Sequence, residues 1–161
     1  MKPTVYIETT IPSFLTARPS NNLIVAGKQE VTRQWWEMRR EKYELFVSEL
    51  VFDEALKGDI DAAERRIAAI EGIPSLEIDN EVIRITERII EAGVIPEKSA
   101  SDAAHIAVAS RHGVDYLMTW NCTHIANAEI IGKMSFLVAE TGHYLPIICT
   151  PDELFGGQED D

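Results

Sequence analysis

The chain has 161 residues, which is enough for one domain with a full hydrophobic core and too few for two comfortable ones. Its apolar content of 45% and its charged content of 26% are ordinary for a globular protein, and no apolar run is long enough to span a membrane. The formal net charge of −12 argues against binding nucleic acid through a broad basic surface, although a divalent cation held by carboxylates can still attract a phosphodiester.

The first part of the chain predicts a short strand followed by a long helix. Val5-Tyr6-Ile7 is an apolar run typical of a buried strand, and Ile11-Pro12 disfavours a helix immediately after it, because proline restricts the residue that precedes it. A loop through residues 19–22 follows. The segment from about Leu23 to Lys42 then has the composition of a helix.

Aromatic and basic residues are interleaved in this long helix, where Trp35 and Trp36 lie close to Arg39 and Arg40 along the chain. Such a helix can stack on single-stranded nucleic acid and neutralise its charge. The commoner arrangement divides these residues between a stripe that faces the core and a solvated face. The sequence favours the second interpretation and leaves the first open.

A second strand and four further elements are predicted between residues 45 and 93. Leu45-Phe46-Val47 indicates the strand, which leads through Ser48 into a helix that holds Glu54 and ends near Gly58. The two helices that follow have an aspartate at the N-cap position and a glycine just after their ends. The elements after Gly58 are a helix from Ile60 to Ile70 capped by Asp59, an extended segment over residues 75–78, and a helix from Glu81 to Ala92 capped by Asp79 and stopped by Gly93.

The last part of the chain predicts a buried helix beside another strand. The segment from Asp102 to His112 is almost entirely small and apolar, and a helix that is apolar nearly all round is expected to be buried against the sheet. Gly113 ends it, and Tyr116-Leu117-Met118-Thr119 begins the next strand. The remaining elements are a helix over residues 129–140, a strand over residues 147–149, and a capping box at residues 150–153 that starts a short final helix.

Neither cysteine indicates a disulfide framework or a zinc site. Cys122 and Cys149 form no paired motif, and Cys122-Thr123-His124 would supply only two of the four ligands that structural zinc needs. Met1-Lys2-Pro3 leads into the first strand without a secretory signal, so we expect a cytoplasmic protein. We also expect residues 1–155 to form a single domain and residues 156–161 to form an acidic, disordered tail.

Four polar residues that can bind a metal ion lie next to the predicted strands. Glu8 directly follows the first strand, Glu54 lies in the helix after the second, Asp102 opens the buried helix, and Asn121 lies just past Thr119. Because loops at the carboxyl ends of parallel strands point into one crevice, we expect these side chains to meet. Three carboxylates and one amide suit Mg²⁺ or Mn²⁺, which prefer oxygen ligands. The sequence therefore predicts a metal site.

Each of these residues also has an ordinary interpretation. Glu8 and Glu54 can be solvated carboxylates, and Asn121 can be a turn residue. Asp102 lies at the third position of a helix that Ser99 would cap, where an acidic side chain favours the helix dipole with or without a metal. The joint placement of the four residues favours the metal site.

Four short motifs contain these residues in order along the chain. They are Tyr6-Ile7-Glu8-Thr9-Thr10, Ser48-Glu49-Leu50-Val51-Phe52-Asp53-Glu54, Ser101-Asp102-Ala103-Ala104-His105-Ile106-Ala107 and Leu117-Met118-Thr119-Trp120-Asn121. From residue 4 to about residue 150, the chain thereby resembles a PIN domain, the fold of many metal-dependent ribonucleases, including the VapC-like toxins of toxin–antitoxin pairs.

The resemblance implies a PIN-like, three-layer α/β/α sandwich with a central parallel sheet of about four to five short strands. It implies an Mg²⁺- or Mn²⁺-dependent endoribonuclease that hydrolyses RNA phosphodiester bonds as the toxin of a type II toxin–antitoxin pair. The expected partners are an RNA substrate, an antitoxin protein and a second copy of the chain in a homodimer, with no membrane.

The same resemblance assigns roles to the site residues. Glu8 and Asp102 would be the primary metal ligands, Glu54 would hold a water molecule or a second ion, and Asn121 would be a neutral outer ligand. Supporting roles are then expected for hydroxyl and imidazole groups close to these four residues. These supporting residues are Thr9 and Thr119, which would orient the water or the phosphate, and His124, which either faces the site or serves as a surface or helix-capping histidine.

Two positions depart from the pattern of the family, which usually has aspartate where this chain has Glu8 and Asn121. Glutamate keeps the charge but adds a methylene group, whereas asparagine keeps a carbonyl oxygen and loses the charge. Fewer anionic ligands should weaken the binding of divalent ions. A second hypothesis is therefore a PIN-like fold that has lost efficient catalysis and acts as a binding or regulatory module through contacts with other proteins.

Overall fold

The computed structural model of the chain describes residues 1–157. These residues form seven α-helices and a parallel sheet of five strands. The strands are β1 (Thr4–Ile7), β2 (Glu44–Ser48), β3 (Ser75–Leu76), β4 (Tyr116–Met118) and β5 (Ile147–Cys149). The helices are α1 (Thr10–Thr16), α2 (Leu23–Met38), α3 (Glu49–Ala55), α4 (Ile60–Ile70), α5 (Asn80–Glu91), α6 (Ala100–Arg111) and α7 (Ala128–Glu140). Short 3-10 turns span Arg40–Lys42, Glu97–Ser99 and Pro151–Leu154.

The sheet has the strand order β3-β2-β1-β4-β5, and each neighbouring pair is parallel. Tyr6 in the central strand β1 is in register with Phe46 on one side and Leu117 on the other. Helix α1 packs against α2 and α4, whereas α5 packs against α6 and α7. The predicted α/β/α sandwich with a central parallel sheet is confirmed.

The strand order places a crevice next to β1. From β1 the chain builds the sheet outward through β2 and β3, and it then crosses to the other side of β1 to build β4 and β5. The direction of building reverses between β1 and β4, and loops diverge at such a point to leave a crevice beyond the carboxyl ends of the strands. Glu8 follows β1 and Thr119 follows β4, so both lie at this crevice.

The core is built on strands that are apolar on both faces. Val5, Tyr6 and Ile7 are completely buried, as expected for a central parallel strand with helices on either side. Trp35 of α2 is also completely buried, and its Nε1 donates a hydrogen bond of 3.2 Å to the carbonyl oxygen of Leu154. Trp36 is half-buried beneath the guanidinium of Arg40, 4.4 Å from the ring centroid.

The prediction that Ile11-Pro12 would disfavour a helix after β1 is wrong, because α1 begins at Thr10. Pro12 lies in the first turn of α1, where its missing N–H has no intrahelical partner to lose and its fixed φ suits the helix. The predicted long helix ends at Met38 and continues only as a 3-10 turn. The helix that holds Glu54 ends at Ala55 and not near Gly58.

The aspartate caps are confirmed. Asp59 accepts a hydrogen bond from the backbone N–H of Ala62, 2.9 Å away, at the start of α4. Asp79 likewise accepts from the N–H of Val82, 3.0 Å away, at the start of α5. Ser99 occupies the predicted N-cap position of α6, but its side chain makes no capping hydrogen bond.

The predicted acidic tail, residues 156–161, falls largely outside the described residues, since residues 158–161 are not among them. Within residues 1–157, no helix combines the length and the apolar character needed to cross a bilayer.

Candidate active site at the carboxyl edge of the sheet

Glu8 is a buried carboxylate held entirely by neutral donors. Glu8 is only 3% exposed, and its Oε1 accepts hydrogen bonds from the backbone N–H of Thr10 at 2.9 Å and from the hydroxyl of Thr119 at 2.8 Å. The hydroxyl of Thr10 donates to the same oxygen. Among residues 1–157, Glu8 forms no ion pair with lysine, arginine or histidine.

Thr10 links the carboxyl ends of β1 and β4. Its Oγ1 donates to Glu8 and accepts a hydrogen bond of 2.7 Å from the backbone N–H of Trp120. The hydroxyls of Thr10 and Thr119 are 3.4 Å apart. The sequence prediction included Thr9 and Thr119 but missed Thr10, whose backbone N–H donates to the side chain of Glu8 two residues earlier, a local side-chain-to-backbone bond.

Glu54 is the end of a chain of hydrogen bonds that runs into the core. Its Oε1 accepts a hydrogen bond of 2.8 Å from the hydroxyl of Thr9 and is also bonded to Nε2 of His105. On the other side of the imidazole, Nδ1 lies 2.7 Å from the phenol oxygen of Tyr6, which lies 2.7 Å from Oγ of Ser48. Tyr6, Ser48 and His105 are all completely buried.

Charge strengthens the contact between Glu54 and His105. Burial, the largest influence on His105, lowers its pKa, but the hydrogen bond with Glu54 and the charges of Glu8, Glu54 and Asp102 together raise that pKa above its ordinary value. Burial, the largest influence on Glu54, raises its pKa, but the hydrogen bond and charge of His105, the hydrogen bond from Thr9 and the charge of Lys57 together lower that pKa below its ordinary value. Burial raises the pKa of Tyr6, so its phenol keeps its proton. Three carboxylates therefore act electrostatically on one buried imidazole.

Asp102 and His124 form a second carboxylate–imidazole pair. Asp102 is the third residue of α6, as predicted, and its Oδ2 lies 2.8 Å from Nδ1 of His124. Asn121 builds the turn that presents His124, because its Oδ1 accepts hydrogen bonds from the backbone N–H groups of Thr123 at 3.2 Å and His124 at 3.1 Å. Two bonds fill the acceptor capacity of this oxygen. Asn121 thus has the turn role that its sequence position also allowed, and it would have to leave this turn to bind a metal directly.

In each of the three carboxylates, of Glu8, Glu54 and Asp102, only one of the two oxygens accepts hydrogen bonds from the described residues. All hydrogen bonds to Glu8 and Glu54 end on Oε1, and the hydrogen bond to Asp102 ends on Oδ2. The second oxygen of each carboxylate accepts no hydrogen bond from residues 1–157, and such oxygens are the ligands that hard divalent cations prefer. The donor chemistry therefore suits Mg²⁺ or Mn²⁺. However, no three side chains of histidine, cysteine, aspartate or glutamate in this range are grouped so that they could hold one ion.

The structure brings the predicted residues together in pairs. Glu8 contacts Thr119, Glu54 contacts Thr9, and His124 connects Asp102 with Asn121. Sequence reasoning missed the buried residues behind Glu54, which are Tyr6, Ser48 and His105. His105 could have been found, since it is the one polar residue in the apolar run from Ala103 to Ala109, and a buried histidine needs hydrogen-bond partners.

Comparison of the sequence with known proteins finds no matching protein-family model and no matching curated protein. The resemblance to PIN domains therefore stays a prediction.

Proposed function

We propose that this protein hydrolyses RNA phosphodiester bonds with the help of Mg²⁺ or Mn²⁺ at the carboxyl ends of β1 and β4. The observation that supports the proposal is Glu8, a carboxylate that is 3% exposed, accepts hydrogen bonds from two threonines, and has no basic partner among residues 1–157. Burying a carboxylate without a cationic partner costs stability, and a bound cation would offset that cost.

The position of Glu8 supports the same function. It lies where the strand order reverses, which is the usual ligand-binding crevice of an open parallel sheet. The charges of Glu54 and Asp102 act on the same buried imidazole as the charge of Glu8, so negative charge accumulates at this edge. A divalent cation is the species that such an accumulation attracts most strongly.

Each carboxylate has a role in this proposal. Glu8 and Asp102 would hold the cation through the oxygens that accept no hydrogen bond from the described residues, and Glu54 would hold a water molecule or a second ion. When bound, the cation makes water more acidic and neutralises charge on the phosphate. The hydroxyls of Thr9 and Thr119 donate to Glu54 and Glu8, so these threonines orient carboxylates.

The choice of substrate rests on the resemblance to PIN domains. RNA, a role as the toxin of a type II toxin–antitoxin pair, a homodimer and an antitoxin partner all belong to the proposal on that ground. The net charge of −12 adds one constraint. Attraction of a phosphodiester has to come from the cation, so cleavage should be lost completely when divalent ions are chelated.

Asp102→Asn tests the proposal directly. Single-stranded and structured RNA are incubated with the protein in Mn²⁺ and, separately, in EDTA. We expect cleavage only in Mn²⁺, and we expect Asp102→Asn to slow it on the order of 100-fold. Asp53→Asn is the matched control, because Asp53 is exposed and precedes Glu54 in the chain. Cleavage by Asp102→Asn at the rate of the control would refute the proposed site.

A second candidate function is a binding or regulatory module without efficient catalysis. Two observations favour it, namely the engagement of Asn121 Oδ1 in a turn and the lack of a grouped metal-binding set among residues 1–157. Calorimetry with Mn²⁺ separates the two functions. Saturable binding that Asp102→Asn abolishes supports the hydrolase, whereas a wild-type protein that binds no Mn²⁺ supports the module.

A further inference from the structure

We infer that His105 is a positioning residue that fixes the carboxylate of Glu54, and that Tyr6 and Ser48 hold His105 in the orientation this requires. The inference rests on the proposed function and deepens it, because it assigns three completely buried polar residues to the same site.

Glu54 needs to be fixed by its neighbours. It lies in the last turn of α3, a helix of only seven residues, and its side chain is 26% exposed. A glutamate in such a place has several accessible rotamers and loses conformational entropy when it is held in one of them. The two hydrogen bonds to Oε1, from Thr9 and from His105, select one rotamer and thereby place Oε2.

His105 is itself fixed from behind. Nδ1 is bonded to the phenol of Tyr6, which is bonded to Ser48, and each of these contacts spans 2.7 Å between completely buried side chains. The imidazole therefore cannot rotate about its Cβ–Cγ bond without leaving a buried polar group unpaired. A histidine that ligates a metal is oriented in the same way by a group bonded to its other nitrogen, and here the principle applies to a histidine that holds a carboxylate.

The orientation does not depend on the protonation state of His105. If the imidazole is neutral, Nε2–H donates to Glu54 and Nδ1 accepts from the phenol, which in turn accepts from the hydroxyl of Ser48. If the imidazole is charged, Nδ1–H donates to the phenol oxygen, and the phenol donates to Ser48. The same atoms remain paired in both cases, so the geometry is the basis of the inference.

The chain spacing ties this network to the other two carboxylates. Tyr6 precedes Glu8 by two residues, which is the repeat of a strand, so both belong to the same face of the sheet. His105 follows Asp102 by three residues, so both lie on one face of α6. The positions that hold Glu54 are thereby built into the same strand and helix that present Glu8 and Asp102.

The test compares four variants in Mn²⁺-dependent RNA cleavage. His105→Leu removes the donor to Glu54, His105→Gln keeps an N–H donor of similar reach, and Tyr6→Phe removes only the phenol oxygen. Tyr43→Phe is the matched control, since Tyr43 donates to the carbonyl oxygen of Leu154 outside the network. We expect kcat to fall roughly 10-fold or more in His105→Leu and Tyr6→Phe with KM unchanged, to recover largely in His105→Gln, and to be unaffected in Tyr43→Phe.

Crystal structures of the metal-free variants give a readout that does not need activity. Glu54 should occupy one conformer in the wild type and in His105→Gln, and several conformers in His105→Leu. If the wild type neither binds Mn²⁺ nor cleaves RNA, the proposed function falls, and the Glu54 conformers still decide this inference. A single unchanged Glu54 conformer in His105→Leu would overturn it. If His105→Leu does not fold, Tyr6→Phe is used instead. Several Glu54 conformers in Tyr6→Phe would support the inference, and a single unchanged conformer would overturn it.

Discussion

Tyr6→Phe removes a single oxygen from the core and leaves the aromatic ring in place. That oxygen makes hydrogen bonds of 2.7 Å with both Ser48 and His105, and all three side chains are completely buried. A typical hydrogen bond contributes about 1 kcal/mol net, and a buried polar group left without a partner costs about 1–3 kcal/mol. Two lost bonds and at least one stranded group should therefore lower the free energy of unfolding by about 3 kcal/mol.

Tyr43→Phe also removes one phenol oxygen, but this oxygen makes only one hydrogen bond with the described residues. The phenol of Tyr43 donates one hydrogen bond of 3.3 Å to the carbonyl oxygen of Leu154. This carbonyl also accepts from Nε1 of Trp35, so it keeps a partner when the phenol is removed. The expected loss is only about 0.5 kcal/mol.

Urea unfolding in EDTA, followed by tryptophan fluorescence, measures both losses, provided that the m-values are unchanged. The double variant Tyr6→Phe/Ser48→Ala completes a cycle. Because Tyr6→Phe already breaks the contact with Ser48, the loss of unfolding free energy in the double variant should be about 1 kcal/mol smaller than the sum of the losses in Tyr6→Phe and Ser48→Ala. A loss below about 1 kcal/mol for Tyr6→Phe, or an additive cycle, would refute the network energetics.

Ionisation, metal affinity and backbone geometry each give a further expected outcome. Folding lowers the pKa of Glu54 from an ordinary 4.5, so the stability that Glu54 contributes is fully present above pH 4.5 and is lost as the pH falls through its folded pKa. Folding raises the pKa of His105 from an ordinary 6.5, so the stability that His105 contributes is fully present below pH 6.5 and is lost as the pH rises through its folded pKa. The Tm of the metal-free wild type should therefore exceed that of His105→Gln by the largest margin between pH 4.5 and 6.5. A Tm difference that is constant across pH would contradict the pairing of Glu54 with His105. Asn121→Asp keeps the oxygen that builds the turn and adds a charge, so calorimetry should show roughly tenfold tighter Mn²⁺ binding, whereas unchanged affinity would exclude position 121 from the site. Gly113 has a φ of +66°, so Gly113→Ala should lower the free energy of unfolding by about 1 kcal/mol in urea, and a neutral effect would show that the turn relaxes.

The features that the sequence predicted well are those that local residues determine. The strand Ile147–Cys149 and the helix Ile60–Ile70 have the predicted bounds, because an apolar run and an aspartate cap act within a few residues. The start of α1 was missed because the proline rule was applied to a position in the first turn, where proline is tolerated. The alternation of strands and helices predicted a parallel sheet.

The internal arrangement of the site could not be predicted in the same way. The contact between Glu8 and Thr119 reflects the geometry of parallel strands, because the two residues directly follow the neighbouring strands β1 and β4. In contrast, the contact between Tyr6 and His105 joins residues 99 positions apart and depends on how α6 lies on the sheet. No local pattern contains that information, and the same is true of the turn that occupies the side-chain oxygen of Asn121.

The position of β1 in the sheet has a consequence for synthesis. β1 is the first of the five described strands and also the central one, and Thr119, which bonds to Glu8, is translated 111 residues later. Contacts between residues so far apart in sequence are slow to form, because closing a long loop costs conformational entropy. A nascent chain on the ribosome, or a fragment that stops before β4, has Glu8 without Thr119. Premature termination therefore yields products that lack the assembled crevice.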